Sequence, residues 1–123
     1  MLLDNQVEMV RKPFSMGVRI EHLQEDINKA LYGKFYNHPN LSAADYKLAV
    51  HLENGRGVYT FCMCPGGHVV AAASEEGRVV TNGMSYADRE GENANAALLV
   101  TVNPEEFPFE GVLGGMYWQR QIE

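Results

Sequence analysis

Both cysteines of the chain stand two residues apart, in Val58-Tyr-Thr-Phe-Cys62-Met-Cys64-Pro-Gly-Gly-His68. Thiols at this spacing can pass electrons to a neighbouring redox centre, and either can act as a nucleophile once it is a thiolate. On a regular strand, residues two apart share a face, so Cys62 and Cys64 would lie together with Met63 opposite. A strained disulfide is another state open to the pair. The ordinary alternative is two small buried hydrophobes, because free cysteine is among the most buried residue types. Cys62-x-Cys64-x-x-x-His68 also suggests zinc, which takes four ligands in a structural site and three in a catalytic one. His22, His38 and His51 are scattered without ligand spacing, so no metal is expected.

The residues after the cysteines extend the candidate site. Pro65 has no N–H for a ladder, and Gly66-Gly67 lets the backbone bend or lets a partner approach it closely. A planar ligand, or an anion held by backbone N–H groups, would fit such a corner; so would an ordinary turn. Downstream lie Asn82, Ser85, Arg89, Asn93 and Asn95, read as polar groups of a long loop, where sites tend to lie. Asn82-Gly83 is equally a plain turn signal. Arg89 offers a cation for a carboxylate or phosphate, or simply pairs with Asp88, Glu90 and Glu92 on the surface. Arg19 has the same choice. The acids of Ser74-Glu75-Glu76-Gly77 sit on a hairpin tip and point apart, which suits solvation better than acid–base catalysis. Tyr59, Phe61, Tyr86 and Trp118 are core or interface aromatics before they are stacking platforms.

Short elements must position these residues. Leu2 to Val10 reads as the tail of a helix or as a lead-in, closed by Lys12-Pro13. Gly17 to His22 is a strand with Val18 and Ile20 on one face and Arg19 and Glu21 on the other. Gln24 to Leu31 is a helix with Leu23, Ile27, Ala30 and Leu31 aligned, stopped at Gly33. Ser42 can cap a single turn through Asp45. Tyr46 to Met63 forms a hairpin around Glu53–Gly57, and His68–Ser74 with Arg78–Thr81 forms a second. Leu98 to Val102 is a further strand, and the last segment, from Gly111, begins a helix at Met116. Five or six short strands, hairpin connections and two or three helices make an α+β domain with a mainly antiparallel sheet.

With 123 residues the chain suffices for one domain, and its 46% hydrophobic and 21% charged content suits a globular protein. A net charge of −6, with only Arg11-Lys12 as a basic pair, argues against nucleic-acid or anionic-membrane partners. No apolar run reaches a membrane span's length. Met1-Leu-Leu-Asp-Asn-Gln lacks the basic start and apolar stretch of a signal peptide, so a cytoplasmic location is expected. The βαβ rhythm and Gly-x-Gly-x-x-Gly fingerprint of a dinucleotide-binding unit are absent.

Six stretches together resemble one family. They are Lys12-Pro-Phe-Ser-Met-Gly-Val-Arg-Ile-Glu-His22, Ala44-Asp-Tyr-Lys47, Val58 to Gly67, Ala73-Ser-Glu-Glu-Gly77, Val80-Thr-Asn-Gly-Met-Ser-Tyr86 and Gly91-Glu-Asn-Ala-Asn95. They cover most of the chain, in order, and are similar to the bacterial FAD-dependent, NAD-utilising dehydrogenase-like flavoproteins. The resemblance implies an inserted substrate or cap domain, residues 1–123, excised from a larger oxidoreductase whose FAD-binding domain carries the phosphate loop. It implies FAD in the full-length parent, none held by this chain, and no activity of the chain by itself. Cys62, Cys64, Gly66, Gly67, Asn82, Ser85 and Arg89 are the residues expected to face cofactor or substrate. The expected partners are a small-molecule substrate and the parent's FAD-binding domain, with an apolar patch that leaves the isolated chain free to self-associate. A second reading, from a different class, is a stand-alone binding or assembly module that uses the Cys-Met-Cys corner without catalysis. An upstream glycine-rich fingerprint in the native gene discriminates the two.

Overall fold

The computed structural model describes residues 1–122. Six strands and two α-helices alternate with two short 3-10 turns, and the registered strand pairs are antiparallel, so the α+β expectation holds. The strands are β1 (Phe14–Leu23), β2 (Ala49–His51), β3 (Gly57–Cys64), β4 (Gly67–Ala71), β5 (Thr81–Ser85) and β6 (Asn93–Val102). The helices are α1 (Gln24–Tyr32) and α2 (Gly114–Ile122). Strands β1-β6-β3-β2 form one sheet, and β4 and β5 form a separate two-stranded ribbon.

Backbone contacts divide the chain into two compact units, Gly17–Val100 and a unit built from Met1–Met16 and the segment after Val100. In the terminal unit, Phe14, Phe107 and Trp118 form an aromatic cluster with centroids 5.2 to 6.2 Å apart. The Glu106 carboxylate accepts the Asn103 N–H at 2.8 Å, which closes the 3-10 turn begun by Pro104. Residues 2–6 form turns where the sequence suggested a helix tail. A segment this short has too few residues to offset helix nucleation.

The central unit carries the candidate site. Strand β1 alternates as its sequence requires, and α1 follows it directly and ends at Gly33. The first hairpin is present with a shortened outer strand, Ala49↔Tyr59 to His51↔Gly57. No helical turn forms at Ser42–Asp45. The Ala44 N–H is taken instead by Asn28 Oδ1 at 2.9 Å and its C=O by Gln24, so this backbone is held by side chains of α1.

Two further expectations are corrected. Asn82-Gly83 is not a turn: it lies within β5, with Val70↔Asn82 and Val69↔Gly83 paired. Asn93 and Asn95 are not loop residues, because β6 starts at Asn93. In both cases a local polar signal is overridden by cross-strand pairing, the usual reason that strand preference depends on context. The buried aliphatic side chains of the central unit are small, at Ala44, Ala94, Ala96 and Ala97.

Candidate functional site

The corner is built on a bulge. Strand β3 pairs regularly with β6 through Phe61↔Ala97, then slips before Cys64↔Asn95. Cys62 occupies the slip with φ +45°, a left-handed conformation that β-carbon crowding makes costly for a non-glycine residue. Its carbonyl accepts Arg19 Nη1 at 3.1 Å and the Cys64 thiol at 3.2 Å, and these bonds offset the strain. The irregularity separates the two thiols: Cys62 is exposed, Cys64 half-buried, and both are free. The shared face expected of a regular strand is therefore replaced by an outward Cys62.

Pro65-Gly66 closes the turn into β4, with Gly66 at φ +56°. This corner is buried. Gln24, the first residue of α1, seals it: Oε1 accepts the Gly66 N–H at 2.8 Å, while Nε2 donates to Ala44 O at 2.9 Å and Asn28 Oδ1 at 2.8 Å. The backbone freed by the glycines is approached by the chain itself. A β-carbon at Gly66 would strike the Arg89 carbonyl, one at Gly67 the Met84 carbonyl, and one at Gly91 the Gly66 carbonyl.

Under the ribbon a polar network joins Arg19, Asn93 and Asn95, which the sequence offered only as separate candidates, with Glu21. Strand β1 sends Arg19 and Glu21 to this side. Arg19 Nη1 donates to Asn95 Oδ1 at 2.8 Å. Glu21 accepts the Val69 N–H and Asn93 Nδ2, each at 3.0 Å, tying the ribbon to the sheet. Gly83 lies directly above, where a β-carbon would be 2.5 Å from Arg19 Nη1 and 2.9 Å from Cys64 Sγ. Asn95 is fully buried, and its Nδ2 and the buried Arg19 Nε have no acceptor among the described residues. The alternation of β1 was the available signal for Arg19 and Glu21. Asn95 was marked as a polar group but placed in a loop, and nothing local marks Gln24.

The remaining candidates scatter around this knot. Asn82 is exposed and accepts the Gly83 N–H with its own Oδ1 at 2.8 Å; Ser85 is half-buried opposite Gly67. Arg89 is exposed at φ +58°, and no ion pair joins it to Asp88, Glu90 or Glu92 among the described residues. It lines a cleft of about 350 Å³ with Gln24, Glu25, Asn28 and Glu92. Among the described residues with positive φ other than glycine, two of three are Cys62 and Arg89. His68 packs on Tyr86 at 5.3 Å, and no cluster of three or more His, Cys, Asp or Glu able to hold a metal occurs among the described residues.

Residues 13–123 match the sequence model of a family described as FAD-dependent protein, C-terminal domain-like. The chain belongs to this family. The description names a C-terminal domain, where the resemblance implied an inserted one. Over 124 aligned residues the chain is also 59% identical to an uncharacterized protein of Clostridium beijerinckii (strain ATCC 51743 / NCIMB 8052). That alignment takes in all of this chain but 23% of the relative's length. No helix among the described residues is long and apolar enough to cross a membrane.

The fit of a flavin to this chain's own residues follows from the corner. Gly66, Gly67 and Gly91 are filled by backbone, and the unpaired donors of Arg19 and Asn95 are buried beneath Gly83. The glycine corner is thus no cradle for a ring. The side chains of Cys62, Asn82 and Arg89 are exposed; Cys62 and Arg89 adjoin the corner, and Asn82 lies farther along β5.

Proposed function

We propose that this chain is the substrate-side domain of a longer FAD-dependent oxidoreductase of the NAD-utilising dehydrogenase-like kind, without turnover of its own. The observation that carries the reading is the backbone strain at Cys62 and Arg89. Both are exposed and left-handed: Cys62 is held there by the bonds its carbonyl accepts, and Arg89 by the turn bond of its N–H to the Tyr86 carbonyl and by its close approach to Gly66. Strain of this kind persists only where surrounding structure over-determines it, and it concentrates at functional sites. The family's FAD dependence and the relative's greater length support a flavin supplied by another part of the same polypeptide.

In this reading FAD supplies the electron chemistry and the chain supplies position and charge. Cys62 borders the substrate space, Asn82 offers an amide, and Arg89 offers its guanidinium to a substrate carboxylate or a cofactor phosphate. Cys64, Ser85, Gly66 and Gly67 act behind them by fixing the rim. Substitutions Cys62→Ser and Arg89→Gln in the full-length polypeptide test this against Glu76→Gln at the exposed tip of the ribbon. The rim variants are expected to shift the flavin absorption spectrum or lower turnover, with the tip variant normal. Normal spectra and rates in both rim variants, with a defect at the tip, would overturn it.

A further inference from the structure

The sheet face opposite the polar knot is apolar and open. Pairings Val50↔Val58, Thr60↔Leu98 and Val58↔Val100 put alternate residues of β2, β3 and β6 on one side, joined by Val18 and Ile20 of β1. The exposures are Val18 63%, Leu48 61%, Val50 56%, Leu31 of α1 55%, Leu98 39% and Ile20 38%. A groove of about 370 Å³ runs between this face and α1, lined by Ile20, Ile27, Leu31, Leu48 and Leu98, with the His22–Tyr46 pair at 2.7 Å. The two charged residues of β1, Arg19 and Glu21, point to the other side, into the polar network. Such a surface is unusual on a free-standing domain, and the central unit keeps only alanines as its buried aliphatic side chains.

We propose that this face is the docking surface for another part of the same polypeptide, an apolar surface of the flavin-carrying portion. The inference rests on the reading of the chain as one domain of a longer protein. Two observations favour that occupant over a second copy. The relative's alignment of 124 residues is 23% of its length, which leaves about 415 residues to pack against this domain. The size also fits. Six aliphatic side chains at roughly half exposure, each worth on the order of 100 Å², give about 300 Å² on this side and about 600 Å² for both partners. Interfaces between domains of one chain start at about 600 Å², whereas obligate dimers bury about 2,000 Å² or more.

Hydroxyl-radical footprinting of the full-length polypeptide, read residue by residue by mass spectrometry at two protein concentrations, tests the proposal. Val79, 75% exposed on the ribbon's loop, is the internal reference. Leu48, Val50 and Val18 are expected to oxidise at least five-fold more slowly than Val79, equally at both concentrations. Oxidation comparable to Val79 overturns the proposal. Protection that appears only at the higher concentration also overturns it, in favour of a second copy. Flavin content is read separately from the visible absorption of the same sample. A colourless protein with a protected face would therefore refute the flavin reading and leave the docking surface standing.

Discussion

Replacing Gln24 with Leu removes the side chain that seals the corner while keeping its bulk. Two buried backbone groups lose their partners: the Gly66 N–H, bonded at 2.8 Å, and the Ala44 C=O, bonded at 2.9 Å. Asn28 still accepts the Ala44 N–H, so that bond survives. A buried polar group left unsatisfied costs about 1–3 kcal/mol, and two cost about 2–6 kcal/mol. Leucine recovers part of this through its own burial, so the net loss is expected near 3 kcal/mol. That is a large share of the roughly 5–15 kcal/mol by which a domain is stable. Urea unfolding of the 123-residue chain, followed by circular dichroism, gives the difference, and the Gly66 amide should change from slow to fast hydrogen exchange. Gln24→Glu refines the test. Its carboxylate still accepts from Gly66 but faces the Ala44 carbonyl and Asn28 Oδ1 without a donor, so this variant should gain stability relative to wild type as acid protonates it. A loss under about 1 kcal/mol in Gln24→Leu, with Gly66 still protected, would show that Gln24 does not hold the corner.

Three other outcomes follow from the same geometry. Gly83→Val should destabilise by about 3 kcal/mol or more, because its β-carbon meets Asn95, Arg19 and Cys64 in the buried network, whereas Gly77→Ala, with φ +75° and open space around it, should cost only about 1–2 kcal/mol; equal unfolding midpoints would contradict the close packing. Desolvation raises the Tyr46 hydroxyl above its ordinary value of 10.0, so the folded state holds this proton more tightly than the unfolded chain. Stability is then fully present below pH 10.0 and falls as pH rises beyond it, and a denaturation series should show that decline flattened in Tyr46→Phe. Titration of the isolated chain with FAD, followed by flavin fluorescence, should show weak or no binding, because the sequence carries no Gly-x-Gly-x-x-Gly fingerprint; stoichiometric binding at micromolar concentration would refute the proposed division of labour.

The sequence by itself determined the local elements. Alternation in β1, the 3.6-residue spacing of α1 and the turn residues of the first hairpin are properties of neighbours in the chain, and each produced its element; the second hairpin forms, but its returning strand is Thr81–Ser85 where Arg78–Thr81 was expected, because the pairing begins only at Ala71↔Thr81. The α+β class followed from their order. The six motif stretches pointed to FAD dependence before any coordinate did, and the match over residues 13–123 agrees with that much. The tertiary structure decided what local signals cannot carry. The slip between Phe61 and Cys64 depends on the register of β3 against β6, and register is set by distant pairings. That slip turned Cys62 outward and left Cys64 half-buried, an arrangement no spacing rule contains. Asn95 looked like a loop residue but is fully buried, because Arg19, 76 positions earlier, satisfies its carbonyl. The glycines signalled that something comes close; only the fold showed that it is the chain's own backbone at Arg89 and Met84. Long-range partners of polar groups are absent from any local window of sequence, and they fixed this corner.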